Sequence, residues 1–167
     1  MNKIIGTSAI AMLAFAGAAI GASADSDFVM KAAQGGTEEV ELGQLAATQA
    51  GSADVKQFGQ RMVTDHSTAN DELKTVAAKS GATVPADLSK KQQSDKAKLS
   101  KLNGAEFDKA YMKMMVSDHK EDIAEFEKEA KSGKDPDVKA FASKTLPTLK
   151  EHLQLAEQVE PKVASGK

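Results

Sequence analysis

The chain has 167 residues, a formal net charge of −2, no cysteine, no tryptophan and a single tyrosine. That length suits one domain with one core. The missing cysteines exclude a disulfide framework and a thiolate centre, and a mildly acidic balance without a basic block argues against nucleic-acid binding.

Lys3, the apolar run Ile4–Ile20 and the small residues Ala22-Ser23-Ala24 have the layout of a secretory signal peptide cut after Ala24. The run is short for a membrane span, which needs ~20 residues, and no later run is long enough. The expected division is a signal peptide over 1–24 and one domain over 25–162, with no transmembrane segment in the mature chain and export to the periplasm or cell envelope.

Apolar residues then recur at helical spacing in four long segments. The first, about 26–48, contains Gly35-Gly36, a pair that either kinks the helix or admits a close neighbour. The second, about 54–79, follows the break at Ala50-Gly51-Ser52, where Ser52 or Asp54 can cap, and ends at Ser80-Gly81. Residues 86–103 are polar and lysine-rich, and read as a short, poorly buried connecting helix. The third segment, about 105–131, ends before Gly133. The fourth, about 136–159, carries Pro147, which predicts a kink. Two tight hairpins joined by a long crossover predict an all-α, ferritin-like four-helix bundle, with a short helix in the crossover.

Two words repeat: RMVTDH at 61–66 and KMMVSDH at 113–119. A helix advances 3.6 residues per turn, so each word puts a methionine and a histidine on one apolar face: Met62 with His66, and Met115 with His119. His152 lies on the apolar stripe of the fourth segment and Glu39 on that of the first. Each helix therefore offers one inward metal-capable side chain. Asp65 and Asp118 fall at the edge, able to accept an N–H from another helix's histidine or to face water. The candidate metal set is His66, His119, His152 and Glu39, with Met62, Met115, Asp65 and Asp118 as accessory candidates. Three imidazoles and a carboxylate suit Zn, Fe or Cu, and nearby thioethers favour Cu(I). The alternative is that the histidines pair with one another and nearby acids in a polar core. The Glu-x-x-His pattern of di-iron bundles is missing, because Val63, Val116 and Leu149 stand three residues before the histidines. Asp118-x-x-x-Asp122 is either a second carboxylate site or a solvated face beside Lys120.

The blocks FVMKAAQGGTEEVELGQLA (28–46), VKQFGQRMVTDHSTANDEL (55–73), LNGAEFDKAYMKMMVSDH (102–119) and TLPTLKEHLQLA (145–156) resemble domain-of-unknown-function family 4142. These are bacterial exported ferritin-like proteins often labelled predicted outer membrane proteins. The resemblance implies a periplasmic or envelope bundle and no particular activity. Its pattern falls on Glu39, Asp65-His66, Asp118-His119 and His152. The ~10-residue alternating segments of a membrane barrel are absent. The functional expectation is a metal-binding bundle for sequestration or stress protection, with a metal-free envelope-stress or protein-interaction bundle as the alternative. An enzyme ranks last, because neither an open coordination position nor a substrate path is legible.

Overall fold

The computed structural model describes residues 18–165. Five helices follow in order: α1 (Ala18–Gln49), α2 (Ala53–Ser80), α3 (Lys90–Leu99), α4 (Gly104–Ser132) and α5 (Pro136–Ala164). No helix among the described residues is long and apolar enough to cross a membrane. Residues 1–17 of the expected signal peptide lie outside the described residues, and α1 begins within its last part.

The helix ends show why the chain breaks where it does. Gly81 takes φ 72°, the left-handed conformation that closes α2. Ser89 and Gln92 form a reciprocal capping box at the start of α3. Asp135 accepts hydrogen bonds from the amides of Asp137 and Val138 at the start of α5, where Pro136 needs no donor. Ser52 precedes α2, but its side chain makes no capping bond. The buried Asp108 of α4 serves that turn instead, accepting from the amides of Gly51 (3.1 Å) and Ser52 (2.8 Å).

α1 packs on α2 and α4 on α5, and the two hairpins meet through α2–α5 and α1–α4. The α1–α2 contact is backbone to backbone at one point. A Cβ on Gly43 would lie 2.6 Å from the Gly59 carbonyl oxygen, and one on Gly59 would lie 2.6 Å from Ala46 Cβ. Gly35-Gly36 does not break α1. Of the two roles open to that pair, Gly36 has close approach, since a Cβ there would strike the Asn70 side chain of α2. α5 likewise continues through Pro147 and Pro161 to Ala164, past the expected end near 159.

The core divides into two apolar clusters. One gathers Leu42, Phe58, Met62, Tyr111, Met115 and Val159 with their neighbours. The other gathers Val29, Leu73, Phe126, Val138, Phe141 and Leu149 with theirs. Full burial of each large side chain contributes about 1.5–3 kcal/mol. The chain enters the second cluster first along α1 and α5, and the first cluster first along α2 and α4. The helices thus run up, down, down, up, and the crossover holding α3 must travel back along the bundle. On every long helix the switch between clusters falls at one place: Glu39, His66, His119 and His152.

A buried three-histidine, one-carboxylate layer

These four residues form a polar layer between the two apolar clusters. Glu39, His119 and His152 are almost wholly buried and His66 nearly so. The three imidazole rings stand 5.3–5.8 Å apart, centre to centre. One nitrogen from each lies within 4.8 Å of the others. Atoms so spaced share a point no more than about 2.8 Å from each, so settling on one ion at the usual 2.0–2.1 Å asks for ring movements under about 1 Å.

Proton positions follow from the acceptors around each ring. His119 Nδ1 lies 2.9 Å from the Met115 carbonyl and 3.1 Å from Glu39 Oε1. Both only accept, so Nδ1 carries a hydrogen, and in the neutral ring Nε2 is bare. His152 Nε2 lies 2.8 Å from Asp65 Oδ2. Burial alone would raise the Asp65 pKa, but the His152 bond and Arg61 outweigh it and hold it below the usual range. The ionised carboxylate therefore takes the His152 Nε2 hydrogen, leaving Nδ1 bare. The two bare nitrogens, His119 Nε2 and His152 Nδ1, face each other at 3.3 Å. Two neutral imidazoles so placed point lone pair at lone pair, and only a proton or a cation relieves that.

The electrostatics of the layer agree. Burial, joined by the other two histidines, lowers His152 to about 4 despite its bond to Asp65, which keeps it neutral at ordinary pH. Burial pushes Glu39 up, yet the surrounding imidazoles overcome it and bring its carboxyl down to about 2. Burial lowers His66 and the Glu39 charge more than reverses it, so the His66 pKa is raised. His66 Nε2 sits 2.6 Å from Glu39 Oε2. That contact is close but poorly aligned: His66 Nε2 and both Glu39 oxygens lack a hydrogen bond of good geometry. Buried polar atoms left this way are costly, and a shared cation satisfies them together.

The accessory candidates part company. Asp65 holds His152. Asp118 makes no hydrogen bond or ion pair among the described residues. It faces a cleft between α1 and α4, where burial and the charges of Glu39 and Glu38 push its carboxyl up to about 7. Asp122, one turn on, lines the same cleft and is raised well above its ordinary value by burial and the charges of Glu39 and Asp118. Met62 and Met115 are fully buried in the first apolar cluster, and the Met115 carbonyl hydrogen-bonds His119. Spacing alone did not reveal Arg61, whose guanidinium bonds Asp65 (3.1 Å) and Glu151 (2.7 Å). An arginine one turn before Asp65 was the available signal.

Fold and layer together define an all-α bundle of two hairpins around a buried histidine group able to hold a metal ion. The family model of the domain of unknown function DUF4142 matches residues 11–159, and the chain belongs to that family. Its fold is similar to that of a DUF305 fragment from Deinococcus radiodurans, with a TM-score of 0.73 at 14% identity over 83% of this chain and 96% of that one. A DUF305 protein of Streptomyces coelicolor, provisionally named as secreted, is similar with a TM-score of 0.71 at 12% identity over 86% of this chain and 95% of that one. No curated protein matches the chain.

Proposed function

We propose that this protein is an exported binder of one transition-metal ion, held by His66, His119, His152 and Glu39, for sequestration or protection in the cell envelope. The observation that carries the reading is the 3.3 Å contact between His119 Nε2 and His152 Nδ1, whose other ring nitrogens are both committed to acceptors. Two nitrogens on a tetrahedral ion at about 2.0–2.1 Å stand about 3.3–3.4 Å apart, the separation found here. Three imidazoles with one carboxylate are a donor set for Zn(II), Cu(II) or Fe(II). Asp65 and the Met115 carbonyl fix which nitrogens point inward, the usual task of partners behind metal-binding histidines. Export is supported by Lys3, the apolar run and Ala22-Ser23-Ala24, and by the name of the Streptomyces relative.

The test is metal analysis of untagged protein, followed by thermal unfolding of chelator-treated protein with Zn(II), Cu(II) or Co(II) added. One equivalent bound and a raised melting temperature are expected. No uptake and an unchanged melting temperature would leave the layer as a protonated polar core, with a proton between His119 and His152.

A further inference from the structure

Three directions leading out from the layer differ in charge. Past His152 lies Asp65, closed over by the Arg61 guanidinium, which also binds Glu151. A cation approaching there meets a fixed positive charge. Past His66 lies a void of about 20 Å³, lined by Leu73, Phe126, Phe141 and Leu149 among others, with Asp122 as its one carboxylate. That is room for about one water in a mostly apolar wall. The third direction is the cleft between α1 and α4, of about 260 Å³, with Glu39 in its lining.

This cleft is crowded with carboxylates: Glu38, Glu39, Asp118, Glu121, Asp122 and Glu125. Its two lysines are committed, Lys31 to Glu125 and Lys91 to Asp95. Asp118, Glu121 and Asp122 hold no cation within ion-pair distance among the described residues. Glu39 supplies the independent observation. It is 2% exposed, its oxygens lack an aligned hydrogen bond, and it both lines this cleft and touches His66 and His119.

We propose that the α1–α4 cleft is the loading port of the histidine layer: it captures a hydrated divalent cation on Asp118, Asp122 and their neighbours and hands it inward past Glu39. The port rests on the metal reading above. Among the described residues, the cleft acids form no group of three whose ligand atoms converge on one ion, as those of the three histidines do. The cleft acids therefore concentrate the cation without stripping its water, as a charged funnel does.

The experiment is stopped-flow loading of chelator-treated full-length mature protein with Co(II), followed by its d–d absorption, across ionic strengths. Asp118→Asn with Asp122→Asn is compared with wild type and with a control, Glu127→Gln with Glu157→Gln, which removes the same number of carboxyl groups, here from acids paired to Lys150 and Lys120. The cleft variant is expected to load roughly tenfold more slowly at low salt and to lose most of its salt dependence, while reaching the wild-type absorption spectrum. The control is expected to load at the wild-type rate. Equal rates for cleft variant and wild type, with Co(II) bound by both, overturn the port and leave the metal site standing. A control slowed as much as the cleft variant overturns it as well, because the effect is then one of net charge. A wild-type protein that takes up no Co(II) overturns the metal reading and the port with it.

Discussion

The words RMVTDH and KMMVSDH deliver their histidines to the same buried layer but their aspartates to opposite fates. Asp65 accepts from His152 and is gripped by Arg61. Asp118 stands among acids with no partner among the described residues, and its carboxyl is held up near 7 where that of Asp65 is held down. The divergence begins one turn earlier, because Arg61 of the first word corresponds to Met114 of the second. The neighbours differ too: α2 faces α5 and its His152, whereas α4 meets α1, which brings Glu38 and Glu39. The same local pattern thus makes a clamp for a histidine on one side of the bundle and an acid without a cationic partner on the other.

If the histidines are equivalent and the aspartates are not, the largest effects fall on the histidines. His66→Gln or His119→Gln is expected to abolish the thermal stabilisation by added Zn(II). At a hundredfold excess of metal over its Kd that stabilisation is about 2.7 kcal/mol, and scanning calorimetry with and without metal measures it. A variant of either histidine that keeps the full metal-induced shift removes that residue from the site.

The aspartates come next. Asp65→Asn leaves His152 without its anionic partner and is expected to weaken metal affinity about 10–100-fold, read by competition against a chromophoric chelator. Asp118→Asn, which touches no ligand, is expected to leave that equilibrium affinity within about twofold. Similar losses in both variants would erase the distinction drawn between the words.

The inward facing of the histidines was readable in advance and the contrast between the aspartates was not, for a physical reason. A period of 3.6 placed Glu39, His66, His119 and His152 on apolar faces, because facing depends only on position along one helix. Their common height depends on how four helices slide against one another, and no single helix encodes that. The slide is set by contacts between distant residues, such as Gly43 against Gly59 and Asp108 reaching the turn at Gly51 and Ser52. Arg61 went unassigned for the same cause: its second partner, Glu151, lies ninety residues away. Pro147 predicted a kink by a local rule, and α5 runs on through that residue with Leu149, His152 and Ala156 all buried beyond.

A smaller effect separates the aspartates by pH in metal-free protein. Asp118 has a folded pKa of about 7 against an ordinary 3.8. Between those values the folded state holds a proton that the unfolded state has released, so this group's contribution to stability falls as pH rises and is fully unfavourable above 7. Asp118→Asn is expected to melt higher than wild type above pH 7 and to converge with it near pH 4. Asp65 is shifted the other way, so its contribution is present above its unfolded pKa and fades as pH falls through the lowered value. Parallel melting curves for wild type and Asp118→Asn across that range would show that the Asp118 carboxyl is not held up in the folded protein.

The smallest effect expected is that of the residue that sets the words apart. Arg61→Met gives the first word the methionine of the second and removes a guanidinium whose side chain is 39% exposed. Exposed pairs of this kind contribute up to about 1 kcal/mol and are screened by salt, so a loss of that size, vanishing at high salt, is expected in urea unfolding of the metal-free protein. Asp65 is expected to keep its contact with His152, 2.8 Å in the wild type, because the imidazole and not the guanidinium lies in the buried layer. A loss of several kcal/mol that persists at high salt would reverse that order of dependence. Arg61 would then be what holds Asp65 against His152, and the difference between the two words would lie in one arginine rather than in the helices they face.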